Sequence, residues 1–176
     1  MQRLETYVGA KHRNIYFMAS TYRQCYFHLV FAVKSREALI RKEWKNELEM
    51  YITGIVQNHE HKLLAIYAMP DHIHIFIGYN LNHPIPDLVE NIKTSSNAWI
   101  KEKKLTKSKF NWQKGYGAFT HSHAQLGTVV NYVNNQENHH RKKTFREEYI
   151  EYLLKNEIKF DEKYLFDFFE KNHGIK

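Results

Sequence analysis

Residues 26–33 form an apolar run rich in aromatic and branched side chains, which reads as a buried strand. The period then changes. Trp44, Leu48, Tyr51, Ile52 and Ile55 recur at helical spacing across 41–61, predicting a helix with one face on a core. Two strands are expected at 63–69 and 72–79, with Pro70 and Asp71 making a tight antiparallel turn between them. Pro84 and Pro86 open a second helix that carries Leu88, Ile92, Trp99 and Ile100 on one side and ends in lysines. Residues 110–121 hold Trp112, Tyr116, Phe119 and two glycines, and read as a fourth strand with a bulge or close backbone approach. Ser122 and Gln125 form a capping box ahead of a helix striped by Leu126, Val129, Val130 and Val133. Thr144 and Glu147 repeat the cap before a C-terminal helix.

Strand, helix, strand, strand, helix, strand and trailing helices predict an antiparallel sheet with helices on one face, an α+β sandwich whose other face is open. A chain of 176 residues suits one domain with a real core. Residues before Met18 are polar and aperiodic, so 1–17 are read as an N-terminal extension and 18–176 as the domain.

Composition narrows the function classes. The hydrophobic fraction of 43% and charged fraction of 26% are those of a globular protein, against a disordered or fibrous chain. A formal charge of +7 favours polyanionic partners, nucleic acid first, through salt-sensitive counterion release. Aromatic residues reach 15%, and those beside a basic groove can stack unpaired bases. Cys25 is the single cysteine, which rules out an intrachain disulfide and a multi-cysteine zinc site and fits a reducing cytoplasm. No apolar run approaches membrane-span length and residues 1–17 lack signal-peptide character, so a cytoplasmic protein without a membrane partner is expected.

Candidate chemistry starts in the 72–79 strand. Alternation places Ile73, Ile75 and Ile77 on one face and His72 and His74 on the other, where same-face neighbours lie roughly 6–7 Å apart and two neutral imidazoles can converge on one cation. Alone, such a pair also reads as polar residues on a solvated face. His28, His59, His61, His121, His123, His139 and His140 are each read as surface rather than ligand. Tyr132 and Gln136 stand at i and i+4 on the flank of a later apolar stripe, so a phenol and a carboxamide oxygen rise together where buried meets open.

Three segments together resemble the single-tyrosine transposases of the HUH superfamily, the group of insertion-sequence 200-like enzymes and their REP-associated relatives. They are Met69-Pro70-Asp71-His72-Ile73-His74-Ile75, the run from Trp112 through Gly115 and Tyr116 to Phe119, and the helix from Tyr132 through Gln136 to His140. The resemblance covers most of the chain from about Met18. It implies a ferredoxin-like or RRM-like antiparallel sheet with helices on one face and a catalytic helix following the last strand. It makes His72 and His74 the metal pair, Gln136 the third protein ligand and Tyr132 the nucleophile. The implied activity is metal-dependent transesterification on single-stranded DNA through a 5′-phosphotyrosine, with magnesium as the ion, hairpin-containing element ends as substrate and a homodimer as the assembly. A phenol with pKa near 10 is a poor nucleophile at neutral pH, so a divalent ion is needed to stabilise charge in the transition state. Imidazole with carboxamide is a softer set than magnesium usually takes, so manganese is expected to substitute.

A nucleic-acid surface is expected from Lys103, Lys104, Lys107, Lys109 and Lys114, interleaved with aromatics, and from Arg141, Lys142 and Lys143 at the end of the Tyr132 helix. A solvated linker and helix-dipole complementarity explain the same charges, and Trp112 is expected in the core. Two other function classes fit the residues. A domesticated, non-catalytic single-stranded nucleic-acid binder with an RRM-like fold needs no metal, and a metal-dependent phosphoesterase releases its product without a trapped intermediate.

Overall fold

The computed structural model describes residues 22–161 and 165; the 1–17 segment read as an extension lies outside them. Four strands form one sheet in the order β2-β3-β1-β4, with β1 Tyr26–Ala32, β2 Lys62–Ala68, β3 His72–Gly78 and β4 Gly117–His121. All three neighbouring pairs are antiparallel. Helices α1 (Lys42–Asn58) and α2 (Ile85–Glu102) separate the strands, giving the β-α-β-β-α-β order of a ferredoxin-like sheet. Pro84 caps α2, and Pro86 sits in its first turn, where a missing N–H costs nothing.

Register fixes the two faces. Leu29 pairs with Ile75 and Phe31 with Ile73, so these residues and Ile77 point one way, onto Leu48, Ile52, Leu88 and Ile92 of α1 and α2. Each fully buried Ile or Leu stabilises by about 1.5–3 kcal/mol, so this layer sets the orientation of β3. His28, Val30, Ala32, His72, His74 and Phe76 alternate onto the opposite face.

That second face is not open. Val30, Ala32 and Phe119 pack against Phe145, Tyr149 and Leu153 of α5 (Phe145–Lys155), while Phe76 and Ala65 pack against Val129 and Val133 of α3 (Leu126–Asn134). The expectation of a bare sheet fails because the later helices carry apolar stripes of their own, and those stripes need a surface. Among the described residues, no helix is long and apolar enough to cross a membrane.

Two local expectations also change. The last strand is only Gly117–His121; upstream, Trp112 makes a single bridge to Val33 and turns into the α1/α2 core, its Nε1 donating to Ser96 Oγ at 2.8 Å. Between them the chain bends through Gly115 at φ 74°, where Lys93 Nζ donates to the carbonyls of Gln113 and Gly115. The helix expected through Tyr132 and His140 breaks at Asn135 (φ −104°, ψ 24°), and α4 runs Gln136–His140. Asn135 Nδ2 donates to the Asn131 carbonyl at 2.8 Å, the side-chain competition that disfavours asparagine inside helices. Both capping boxes are present; Ser122 caps the 3-10 turn His123–Gln125 that leads into α3, and Thr144 caps α5.

Candidate metal centre and nucleophile

His72 and His74 are 1% and 0% exposed, between the sheet and the later helices. Each ring is held by its Nδ1. His72 Nδ1 lies 2.7 Å from Asp71 Oδ1, and Asp71 accepts from Arg36 Nε at 2.8 Å. Arg36 reaches back because Ser35 and Arg36 both take positive φ, 56° and 54°, in the turn after β1. His74 Nδ1 lies 3.0 Å from His28 Nε2, so His28, read from sequence as surface, is a fully buried support. A proton fixed on Nδ1 leaves the Nε2 lone pair free for a cation.

A third histidine follows the same rule. His140, at the end of α4, sets its Nδ1 3.0 Å from the Lys143 carbonyl and its Nε2 3.1 Å from His72 Nε2. Glu148 of α5 closes the group, with Oε2 at 3.2 Å from His140 Nε2 and 3.8 Å from His74 Nε2. One donor atom from each of His72, His74, His140 and Glu148 lies within 4.8 Å of the others. Spacing along the chain reads His140 as surface and gives Glu148 no role. A signal is present all the same: Glu148 sits at helical spacing among Phe145, Tyr149 and Leu153, a carboxylate on an apolar face.

Electrostatics leave this group short of positive charge. Burial pushes the Glu148 carboxyl up to about 8, with Arg36 working against it. Burial and then His72 push His140 down to about 4. Burial lowers His74 well below 6.5, helped by His72 and His28, and lowers His72 despite its bond to Asp71. His74 Nε2 and both Glu148 oxygens are buried without a hydrogen bond. Unpaired buried acceptors beside neutral imidazoles are costly in a protein interior, and a divalent cation satisfies them together, so the donor set fits a metal.

Tyr132, half-buried on α3, meets His74 and His28 edge-on, each with ring centroids 6.1 Å apart, and meets His139 at 5.1 Å. Its hydroxyl is buried without a hydrogen-bond partner. One open cleft is lined by Tyr132, His121, His139, Lys143, Glu148 and Tyr152, so the phenol and the buried carboxylate border the same space. Gln136, expected on the flank, is instead fully buried; its Nε2 donates to the Tyr132 carbonyl at 3.2 Å, and its Oε1 has no partner.

The basic residues divide. Lys104, Lys107 and Lys109 line an open cleft with Phe110 and Asn111 against α2, on the face of the sheet away from the imidazoles. Lys103 pairs with Glu47, and Lys143 pairs with Glu151. Lys114, Arg141 and Lys142 are exposed.

The model of the family "Transposase IS200 like" matches residues 21–136, more than half of the chain. The chain belongs to the IS200-like transposase family. The matched segment takes in His72, His74, Tyr132 and Gln136 and stops short of His140 and Glu148. The ISDra2 transposase TnpA of Deinococcus radiodurans is 27% identical over 73 residues, 42% of this chain and 52% of the relative. The chain thus spans about half the length of that curated relative. A crystal structure of a proposed transposase from Deinococcus radiodurans R1 superposes with a TM-score of 0.55 at 24% identity, covering 67% of this IS200-like chain and 95% of the other. A REP-associated tyrosine transposase bound to a REP hairpin superposes with a TM-score of 0.51 at 15% identity, covering 69% and 74%. At these identities the superpositions speak for the fold.

Proposed function

We propose that this protein is a metal-dependent single-strand DNA transposase that cuts and rejoins DNA through a 5′-phosphotyrosine on Tyr132. The observation that carries the reading is the cleft that Tyr132 and Glu148 both line, with the Tyr132 ring edge-on to His74 and with His74 Nε2 and both Glu148 oxygens buried without a hydrogen bond. Family membership supports it, and the REP hairpin held by the REP-associated structure supports hairpin-containing single-stranded DNA as substrate.

In this reading His72 and His74 hold the ion, with the Gln136 carboxamide as the third ligand expected from the family pattern. A divalent ion there supplies charge stabilisation to the phosphate in the transition state; magnesium is the expected ion and manganese a substitute. The Tyr132 oxygen attacks phosphorus, the bond to the 3′ oxygen breaks, and a free 3′-hydroxyl departs while the 5′-phosphate stays on the tyrosine. Attack by a 3′-hydroxyl on that linkage reverses the step and rejoins the strand, so bond energy is conserved. Asp71 keeps His72 in the tautomer that presents Nε2, and His28 orients the His74 ring through its Nδ1. Two separate basic segments supply phosphate contacts, Lys103, Lys104, Lys107, Lys109 and Lys114 in the run after α2 and Arg141, Lys142 and Lys143 after α4, and a homodimer, acting in the cytoplasm, holds two DNA ends.

The test is incubation of the full chain with single-stranded hairpin oligonucleotides and manganese, followed by mapping of the DNA-linked peptide. A covalent adduct on Tyr132, lost with chelator and in Tyr132→Phe, is expected. Binding that survives His72→Ala and chelator with no adduct identifies a non-catalytic binder, and turnover to free 5′-phosphate with no trapped intermediate identifies a phosphoesterase; either result overturns the proposal.

A further inference from the structure

We propose that His140 and Glu148, from the two helices after Tyr132, are further direct ligands of the cation held by His72 and His74, adding an imidazole and a carboxylate to the ligand set expected from the family pattern. This rests on the reading of His72 and His74 as metal ligands and goes beyond it, because it draws the coordination sphere from α4 and α5, beyond the segment that matches the family.

Distances carry the inference. Adjacent donors at about 2.0–2.2 Å from one ion stand about 2.8–3.6 Å from one another, the lower part of that range for a six-coordinate ion with positions left for other ligands and the upper part for a tetrahedral one. Around the site, His72 Nε2 to His140 Nε2 is 3.1 Å, His140 Nε2 to Glu148 Oε2 is 3.2 Å, and His74 Nε2 to Glu148 Oε2 is 3.8 Å. The remaining pairs lie within 4.8 Å, so small side-chain shifts close the set on one ion. Orientation agrees, since His72 and His140 each commit Nδ1 to an oxygen acceptor and turn Nε2 inward. A structural role for Glu148 fails on its surroundings: it is 2% exposed on the apolar face of α5, and neither oxygen accepts a hydrogen bond. Its polar neighbours are imidazole nitrogens, His140 Nε2 at 3.2 Å and His74 Nε2 at 3.8 Å from Oε2 and His139 Nε2 at 3.6 Å from Oε1, and a buried carboxylate among neutral rings is strongly destabilising unless a cation satisfies it.

The chemistry of the set follows. With His140 and Glu148 in the set, the preference moves from the magnesium expected from the family pattern toward manganese, iron, cobalt or zinc, because magnesium prefers oxygen ligands and keeps its waters. Because α4 and α5 each contribute a donor, metal uptake also ties these helices to the sheet face that carries His72 and His74.

Cobalt(II) titration of the metal-free full chain, read by visible absorption and by competition with a chromophoric chelator, tests this. Binding by Glu148→Gln and by His140→Asn is expected to be weaker by at least the 10–100-fold typical of losing an outer-shell partner, with altered cobalt bands, and millimolar magnesium is expected not to displace cobalt from the wild type. A thermal melt separates ligation from folding. Without metal, Glu148→Gln is expected to melt at or above the wild-type temperature, because a buried carboxyl is replaced by a neutral group, while the metal-induced rise in melting temperature shrinks. Wild-type cobalt affinity and bands in both variants, alongside loss of binding in His72→Ala, overturn the inference and leave the histidine pair standing. If wild-type protein takes up no cobalt, the metal reading itself fails, and this inference falls with it.

Discussion

The ring of Tyr132 meets the ring of His74 edge-on, at 82° with centroids 6.1 Å apart. The phenol oxygen is buried without a hydrogen bond, although removing such a group from water ordinarily costs about 1–3 kcal/mol. A residue kept for packing has no use for that hydroxyl. Tyr132→Phe is therefore expected to leave the fold as stable as wild type, or more stable by up to about 1–3 kcal/mol, while abolishing the DNA adduct. Paired thermal melts and adduct gels check both halves, and a marked drop in melting temperature refutes the first.

Trp112 belongs to the core. Its Nε1 donates to the fully buried Ser96 Oγ, and its ring meets Phe31 edge-on at 4.9 Å. Ser96→Ala leaves that indole N–H unpaired and is expected to cost about 1–3 kcal/mol in chemical denaturation, with single-stranded DNA affinity unchanged. A loss of DNA binding at wild-type stability contradicts this and makes Trp112 a base platform.

His61 introduces a dependence on pH that is separate from the catalytic cleft. It is 3% exposed, and its Nδ1 accepts the Asn80 N–H at 3.0 Å, which a protonated ring cannot do. Burial, then His59 and His83, lower it below 6.5. The unfolded chain therefore takes up its proton at higher pH than the folded one. Stability contributed by neutral His61 is present above about 6.5 and is lost as pH falls below that value. His61→Asn, which keeps an acceptor for Asn80, is expected to flatten the decline in stability between neutral pH and about pH 5 by up to one proton, measured by urea melts across pH. An unchanged slope counts against it.

Lys104, Lys107 and Lys109 share a cleft with Phe110, so their removal tests the basic surface as a unit. Replacing all three by alanine is expected to weaken single-stranded DNA binding and to reduce the salt slope by about 0.7 for each phosphate no longer neutralised. Binding isotherms at several salt concentrations read it directly. A weaker affinity with an unchanged slope points to disturbed packing around Phe110 and against phosphate neutralisation by these lysines.

Much of this architecture was legible along the chain. Alternation in β3 put three isoleucines on α1 and α2 and therefore turned His72 and His74 to the other side, and the capping boxes at Ser122 and Thr144 marked their helix starts. What escaped were events decided by competition between groups far apart. Trp112 left the last strand because Ser96 and Phe31 offered its indole a better place than a sheet edge. The helix through Tyr132 broke because Asn135 bonds the Asn131 carbonyl with its own side chain.

Periodicity by itself determined which face of the sheet carries the imidazoles and that a phenol rides on a later helix, because both depend on local geometry, a repeat of two or of 3.6 residues. What covers that face is a long-range matter. Only the folded chain, by laying the apolar stripe of α5 over Val30, Ala32 and Phe119, brought Glu148 and His140 to His72 from 76 and 68 positions away.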